Sequence, residues 1–158
     1  LNPYSVSKTS GEELCKMYTE LFGLQTITFR YFNVYGNRQP TKGQYAPVIG
    51  LFERQKENGE LMTVVGDGMQ TRDYTHVKDV VNVNLLATQC KEGFGEIFNI
   101  GTGISYSVLD LVKFVGGPFT NIPPRPGESR HTQADNSKAK AILKWEPKLT
   151  LKEYFKCK

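Results

Sequence analysis

The sequence predicts an α/β protein carrying the last part of a doubly wound parallel sheet. Residues 6–22 have a helical apolar period, with Leu14, Met17, Tyr18, Leu21 and Phe22 at spacings of three and four. Gly23 stops that helix, and a β-branched and aromatic run at residues 26–32 follows it, suited to a buried parallel strand. A second apolar run at residues 96–100 comes after another helical stretch, so strands alternate with helices.

Taken in order, residues 33–43 are rich in Gly, Pro and Asn and read as loop. Residues 47–58 read as a helix with Val48, Ile49, Leu51 and Phe52 apolar, capped by Gly59. Residues 61–65 form a short strand, and Gly66-Asp67-Gly68 signals a turn. Residues 71–75 are extended and pass into a helix over 77–90. Gly101-Thr102-Gly103 ends the strand at 96–100, and residues 107–115 form a short helix stopped by Gly116-Gly117-Pro118. Pro123, Pro124 and Pro126 make residues 121–128 an extended loop. Residues 136–143 and 151–157 are helical. Of the strands, only 26–32 and 96–100 are fully apolar, so few strands belong to one large sheet. Without further strands, the run at 26–32 shows an apolar edge that favours association.

Composition narrows the partners. Of 158 residues, 39% are hydrophobic and 23% charged, as in a water-soluble globular chain. A net charge of +4 is modest, and Lys138, Lys140, Lys144 and Lys148 suit a solvated helix face better than a nucleic-acid stripe. An anionic small molecule is a sufficient partner. Cys15, Cys90 and Cys157 are odd in number and widely spaced, which argues against a disulfide framework or a zinc site and for reduced thiols in the cytoplasm. No apolar run approaches the ~20 residues of a membrane span.

The chemistry begins at Tyr4-Ser5-Val6-Ser7-Lys8. A tyrosine and a lysine four apart lie on one helix face. An ammonium beside a phenol lowers its pKa from about 10 towards the working pH. The pair can then take a proton from an alcohol. The spacing alone more often marks an exposed pair on a solvated face.

Asn2-Pro3 leads into this motif, Gly11-Glu12-Glu13 follows it, and Thr28-Phe29-Arg30-Tyr31-Phe32-Asn33-Val34-Tyr35-Gly36 comes one helix later. Together these resemble the extended short-chain dehydrogenase/reductase family, in particular its NAD-dependent sugar-nucleotide epimerases and dehydratases. The resemblance implies an incomplete Rossmann-type fold with a small C-terminal substrate-binding domain. Residues 1–36 would end the dinucleotide-binding domain. Residues 37–158 would be mainly the substrate domain, with 76–100 returning to the Rossmann sheet. The chain begins without methionine and inside a motif, and is expected to be the C-terminal part of a larger enzyme. The glycine-rich NAD turn and a catalytic Ser/Thr would lie upstream.

Carried over by residue, Tyr4 is the catalytic base, Lys8 assists it and holds the nicotinamide ribose, and Tyr31 and Phe32 complete the contact with NAD. Asn33 would hydrogen-bond a sugar diphosphate; unaided, it is a turn residue after a strand. Gln44, Tyr45, Thr63, Val64 and Val65 would line the nucleotide site. Arg72, within Gln70-Thr71-Arg72-Asp73-Tyr74, would hold the diphosphate, since a guanidinium fork matches phosphate oxygens. The alternative is a surface arginine paired with Asp73 or Asp67. His76 opens the following helix and is structural. In Arg125-Pro126-Gly127-Glu128, the arginine would reach the diphosphate and the glutamate the ribose hydroxyls. Residues 113–121 are shorter than the family usually has there. Thr132 falls where the family keeps a residue beside the sugar's C2 substituent, and its small side chain would admit an N-acetyl group.

The expected activity of the full enzyme is NAD-dependent C4 epimerisation of a UDP-sugar through a 4-keto intermediate. The sugar would be glucose or galactose, or their N-acetyl forms, and the enzyme a homodimer. A nucleotide-sugar 4,6-dehydratase and a non-catalytic nucleotide-sugar-binding remnant are the alternatives.

Overall fold

The computed structural model describes residues 3–43, 46–125 and 127–157. Helix α1 (Pro3–Phe22) leads to strand β1 (Thr28–Tyr31), then β2 (Asn33–Tyr35), α2 (Val48–Glu57), β3 (Met62–Val65) and β4 (Thr71–His76). Helix α3 (Val77–Ala87), β5 (Ile97–Ile100), β6 (Ser105–Ser107), α4 (Val108–Val115), β7 (Phe119–Ile122), α5 (Ser137–Leu143) and α6 (Leu151–Lys156) complete it. The α/β class with parallel pairing is as the sequence predicts: β1 pairs in parallel with β5, from Thr28 opposite Ile97 to Tyr31 opposite Ile100. β2 runs parallel to β4, which also pairs antiparallel with β6, while β3 runs parallel to β7.

Three short strands depart from the sequence reading. β2 lies where a loop was expected, because Asn33–Tyr35 finds a ready ladder on Tyr74–His76. β6 was not foreseen, and β7 replaces the first part of the expected proline loop. In each case pairing with a partner strand overrides a weak local signal.

Two apolar clusters hold the chain. One gathers Tyr35, Ile49, Phe52, Met62, Val64, Tyr74, Leu111, Val112 and Leu151 from α2, α4, α6 and the strands between. The other joins Val83, Phe98 and Ile100 to Ala139, Leu143 and Trp145. Val83 of α3 and strand β5 thus pack together beside β1, and α5 joins them.

Helix α1 departs most from its sequence pattern. Its apolar face, Leu14, Met17, Tyr18, Leu21 and Phe22, is exposed, and its one buried residue is Glu12. The polar positions Glu12 and Thr19 turn inward instead. Arg30 donates to Glu12 through Nε at 2.7 Å and through Nη2 at 2.5 Å. Thr19 and Thr26 share a 2.7 Å hydroxyl contact, and Thr26 donates to the Cys15 carbonyl. The same pattern explains why β1 is only half-buried, with Arg30 and Tyr31 exposed: the strand is not fully apolar.

Candidate active-site cleft

Strand alternation decides which residues meet. Successive side chains point to opposite faces. On β3, Met62 and Val64 enter the core while Thr63 and Val65 face out. On β4, Arg72 and Tyr74 share one face and Asp73 takes the other. Thr63 and Val65 of β3, and Arg72 with the buried Tyr74 of β4, line a cleft of about 400 Å³ with Asn33, Arg125 and Glu128. Val48, Leu51, Val108 and Ile122 give it an apolar wall. The side chain of Val64, expected to line the site, is fully buried in the core instead. Strand period assigns it to the opposite face from Thr63.

The charged end of the cleft has one acid between two bases. Glu128 Oε2 lies 3.9 Å from Arg72 Nη2, and Glu128 Oε1 lies 3.6 Å from Arg125 Nη1. Arg72 is further anchored by donating from Nη1 to the Thr71 carbonyl at 2.8 Å. The sequence alternatives for Arg72, pairing with Asp73 or Asp67, are both replaced. Asp67 takes a bidentate pair from Arg130 at 2.7 and 2.6 Å, which holds its carboxyl down at about 2. This pair ties the segment carrying Arg125 and Glu128 back to the turn after β3. The Thr71 amide donating to the Arg130 carbonyl ties it to β4.

Asp73 is fully buried behind the cleft. Its Oδ1 accepts from the amide and the hydroxyl of Thr102, and its Oδ2 from the amides of Gly103 and Ala134. Gly101 must be glycine here: an added Cβ would strike the Ala134 side chain and stand 2.9 Å from Asp73 Oδ2. The turn at 101–103 therefore wraps a carboxylate on the protein's own β4.

The other expected site residues are dispersed. Tyr4 and Lys8 lie on α1, outside the cleft lining, with Tyr4 exposed and Lys8 Nζ 5.3 Å from the centre of its ring. Tyr31, also exposed, exchanges hydrogen bonds with the Asn84 amide at its hydroxyl. The Phe32 amide donates to the Ile100 carbonyl at 3.0 Å, extending the β1–β5 ladder to the edge of the cleft, where Asn33 begins. Thr132 is not among the cleft-lining residues. Its amide donates to the Thr71 carbonyl, and its hydroxyl is enclosed without a hydrogen-bond partner. Gln44 and Tyr45 lie outside the described residues.

The sequence reading missed Gln55, whose amide brackets Thr63 by donating to its hydroxyl and accepting from its backbone N–H, each at 3.1 Å. It also missed Gln70, Tyr74 and Ser129 in the lining. Tyr74 lies two residues from Arg72 on β4, a signal that strand period carries, and Gln70 sits just before that strand.

With this geometry in place, likeness to known proteins is informative. Residues 1–101 match the NAD dependent epimerase/dehydratase family. The chain belongs to that family. It is 41% identical over 162 residues to a putative UDP-glucose 4-epimerase of Methanocaldococcus jannaschii, covering 99% of this chain and 52% of that protein. A solved UDP-glucose 4-epimerase of Thermotoga maritima with UDP-glucose superposes with a TM-score of 0.91 at 39% identity, over 99% of this chain and 52% of that one. A UDP-glucuronic acid 4-epimerase of Bacillus cereus, solved with UDP-glucuronic acid and NAD, does so at 0.85 and 35%, over 99% and 51%. The chain thus spans about half the length of these epimerase/dehydratase relatives. Among the described residues no helix is long and apolar enough to cross a membrane.

Proposed function

We propose that this chain forms the nucleotide-sugar-binding portion of a C4 epimerase acting on a UDP-sugar. The observation that carries the reading is the cleft itself, lined by two guanidiniums and by an apolar wall. A diphosphate matches paired arginines, and a base matches an apolar wall.

The residues present fit only the nicotinamide end of NAD. Tyr4 and Lys8 present an accessible phenol and ammonium, and no glycine-rich phosphate turn follows any strand. NAD, when bound, supplies the acceptor and donor of hydride at C4. Tyr4 takes the proton from the C4 hydroxyl as the carbon becomes a carbonyl. After the keto-sugar presents its other face, Tyr4 returns that proton to the oxygen. Lys8 places a positive charge beside the Tyr4 ring, with Nζ 5.3 Å from its centre. Arg72 and Arg125 hold the diphosphate while the sugar turns, and Asn33 bridges the cleft to the Phe32 end of β1.

The exposed apolar face of α1 fits burial against further protein, in keeping with a homodimer and a dinucleotide-binding half. By itself the chain would neither turn over substrate nor hold NAD.

Calorimetry on the 158-residue chain tests the reading. UDP should bind, and alanine at Arg72 or Arg125 should weaken UDP and UDP-glucose alike. Each lost charge-assisted contact is worth about 1.5–3 kcal/mol. Weakening of the sugar-bearing ligand alone would place these arginines elsewhere.

A further inference from the structure

Among the described residues lining the cleft, Glu128 is the only acid, and it stands between the only two bases there. One carboxylate oxygen faces each guanidinium, at 3.9 and 3.6 Å. Both separations are ion-pair contacts too long for direct hydrogen bonds, so the carboxylate neutralises both arginines while bonding closely to neither. We propose that Glu128 is an internal counter-anion that holds Arg72 and Arg125 in place before a ligand enters, and that the diphosphate displaces it. This rests on reading the cleft as a nucleoside-diphosphate site.

Three features make such an exchange workable. Arg72 is fixed, with its side chain only 17% exposed and Nη1 anchored on the Thr71 carbonyl. It therefore stays when Glu128 leaves. The segment bearing Glu128 is anchored on both sides: Asn121 donates to the Gly66 carbonyl at 2.7 Å, and Arg130 pairs with Asp67. Between these anchors Gly127 takes φ +78° with nothing within 4 Å of an added Cβ, so the backbone beside Glu128 turns in open space. Movement of the carboxylate then needs no repacking. A diphosphate brings more than one negative charge and several oxygens against a single carboxylate, which favours the exchange.

Glu128 then acts on affinity in two opposite ways. Its charge competes with the diphosphate for both arginines. Once displaced, it is free to accept from sugar hydroxyls of the nucleotide, as the resemblance of its motif implies. Inorganic pyrophosphate isolates the first effect, since it has no ribose.

The test measures binding of inorganic pyrophosphate and of UDP to the 158-residue chain by calorimetry, with Glu128→Gln, Glu128→Ala and Arg72→Ala. Glu128 is surface-accessible, and thermal melts of both Glu128 variants should match the parent chain. Two partly exposed ion pairs are released, so both variants should bind pyrophosphate about three- to ten-fold more tightly. The gain for UDP should be smaller or reversed. Equal or weaker pyrophosphate binding in Glu128→Gln, with binding still lost in Arg72→Ala, overturns the proposal but leaves the cleft reading standing. Pyrophosphate binding that does not respond to Arg72→Ala, or is absent from the parent chain, overturns both.

Discussion

Asp73 Oδ1 accepts two hydrogen bonds from one residue, Thr102: 2.8 Å from its amide and 2.7 Å from its hydroxyl. With Gly103 and Ala134 on Oδ2, this buried carboxylate links β4, the turn after β5, and the segment entering α5. It joins the strand that carries Arg72 to both apolar clusters.

Replacing Asp73 by alanine strands the amides of Thr102, Gly103 and Ala134, while the Thr102 hydroxyl keeps the Ile104 carbonyl as an acceptor at 3.1 Å. Each unsatisfied group costs about 1–3 kcal/mol, and partial solvation makes the sum smaller than three such terms. We expect Asp73→Ala to destabilise the chain by roughly 3–5 kcal/mol, the range seen when a buried charge network is broken. Urea unfolding monitored by circular dichroism reads this. A loss below about 1 kcal/mol would show that the turn at 101–103 closes without the carboxylate.

His76 predicts a pH dependence. It caps α3, with Nδ1 accepting from the Lys78 amide at 3.2 Å, and its ring packs edge-on against Tyr35. Burial holds its pKa below the ordinary imidazole value, Lys78 adds to this, and Asp79 opposes it. A depressed folded pKa means the unfolded chain binds the proton more readily. The stabilising contribution is therefore complete above about pH 6.5 and is lost as pH falls from there through the folded pKa. Protonation also removes the acceptor that caps the helix. The depressed carboxylates Glu12 and Asp110 lose their contributions only at lower pH, since their ordinary values are 4.5 and 3.8. Unfolding midpoints should thus fall as the pH drops below about 6.5, and His76→Asn, which keeps a capping acceptor, should flatten that slope. Identical slopes in parent and variant would assign the effect to other groups.

What the sequence shows and what it hides follow from the range of the forces involved. Helix α4 was legible because Gly116-Gly117-Pro118 stops it, and the structure adds a local capping box from Ser107 and Asp110 at its start. β1 and β5 were legible as apolar runs, and their parallel pairing follows from the helices between them. The role of Asp73 was not legible, since its partners lie 29 to 61 residues away. Glycines at 101 and 103 look like a turn from the sequence whether or not they enclose a carboxylate. The exposure of the apolar stripe on α1 was not legible for another reason. Periodicity locates such a stripe but does not say what covers it, and here Glu12 reaches β1 through Arg30 while the stripe stays exposed. Arg72, Arg125 and Glu128 were legible as residues, while their arrangement around a single carboxylate needed the fold.

Tyr4 and Lys8 carry a prediction for the complete enzyme. Lys8 Nζ stands over the Tyr4 ring at 5.3 Å, close enough to bias the phenol electrostatically. Tyr4→Phe should lower turnover by about 10²–10⁴-fold and leave UDP-sugar affinity nearly unchanged. Lys8→Ala should also lower turnover, because the cation beside the Tyr4 ring is lost. Steady-state rates read both effects, and unchanged turnover in Lys8→Ala would make Lys8 a structural residue.

Thr132 yields the last prediction, and it turns on where its hydroxyl sits. The family resemblance implies a place for Thr132 beside the sugar, yet its backbone is tied to β4 and β6: the amide donates to the Thr71 carbonyl, and Ser105 Oγ donates to the Thr132 carbonyl at 2.7 Å. Its Oγ1 is enclosed without a hydrogen-bond partner. A buried hydroxyl with no partner costs about 1–3 kcal/mol relative to an apolar group of the same shape. Valine has that shape, and the extended backbone at this position suits a β-branched residue. Thr132→Val should therefore stabilise the chain by about 1 kcal/mol, with UDP binding unchanged. Thr132→Tyr, by contrast, should destabilise it by about 1–3 kcal/mol through overpacking against β4. Paired unfolding and binding measurements on the two variants decide the matter. A Thr132→Val variant with altered affinity for an N-acetylated UDP-sugar and unaltered stability would return this residue to the pocket beside the sugar's C2 substituent.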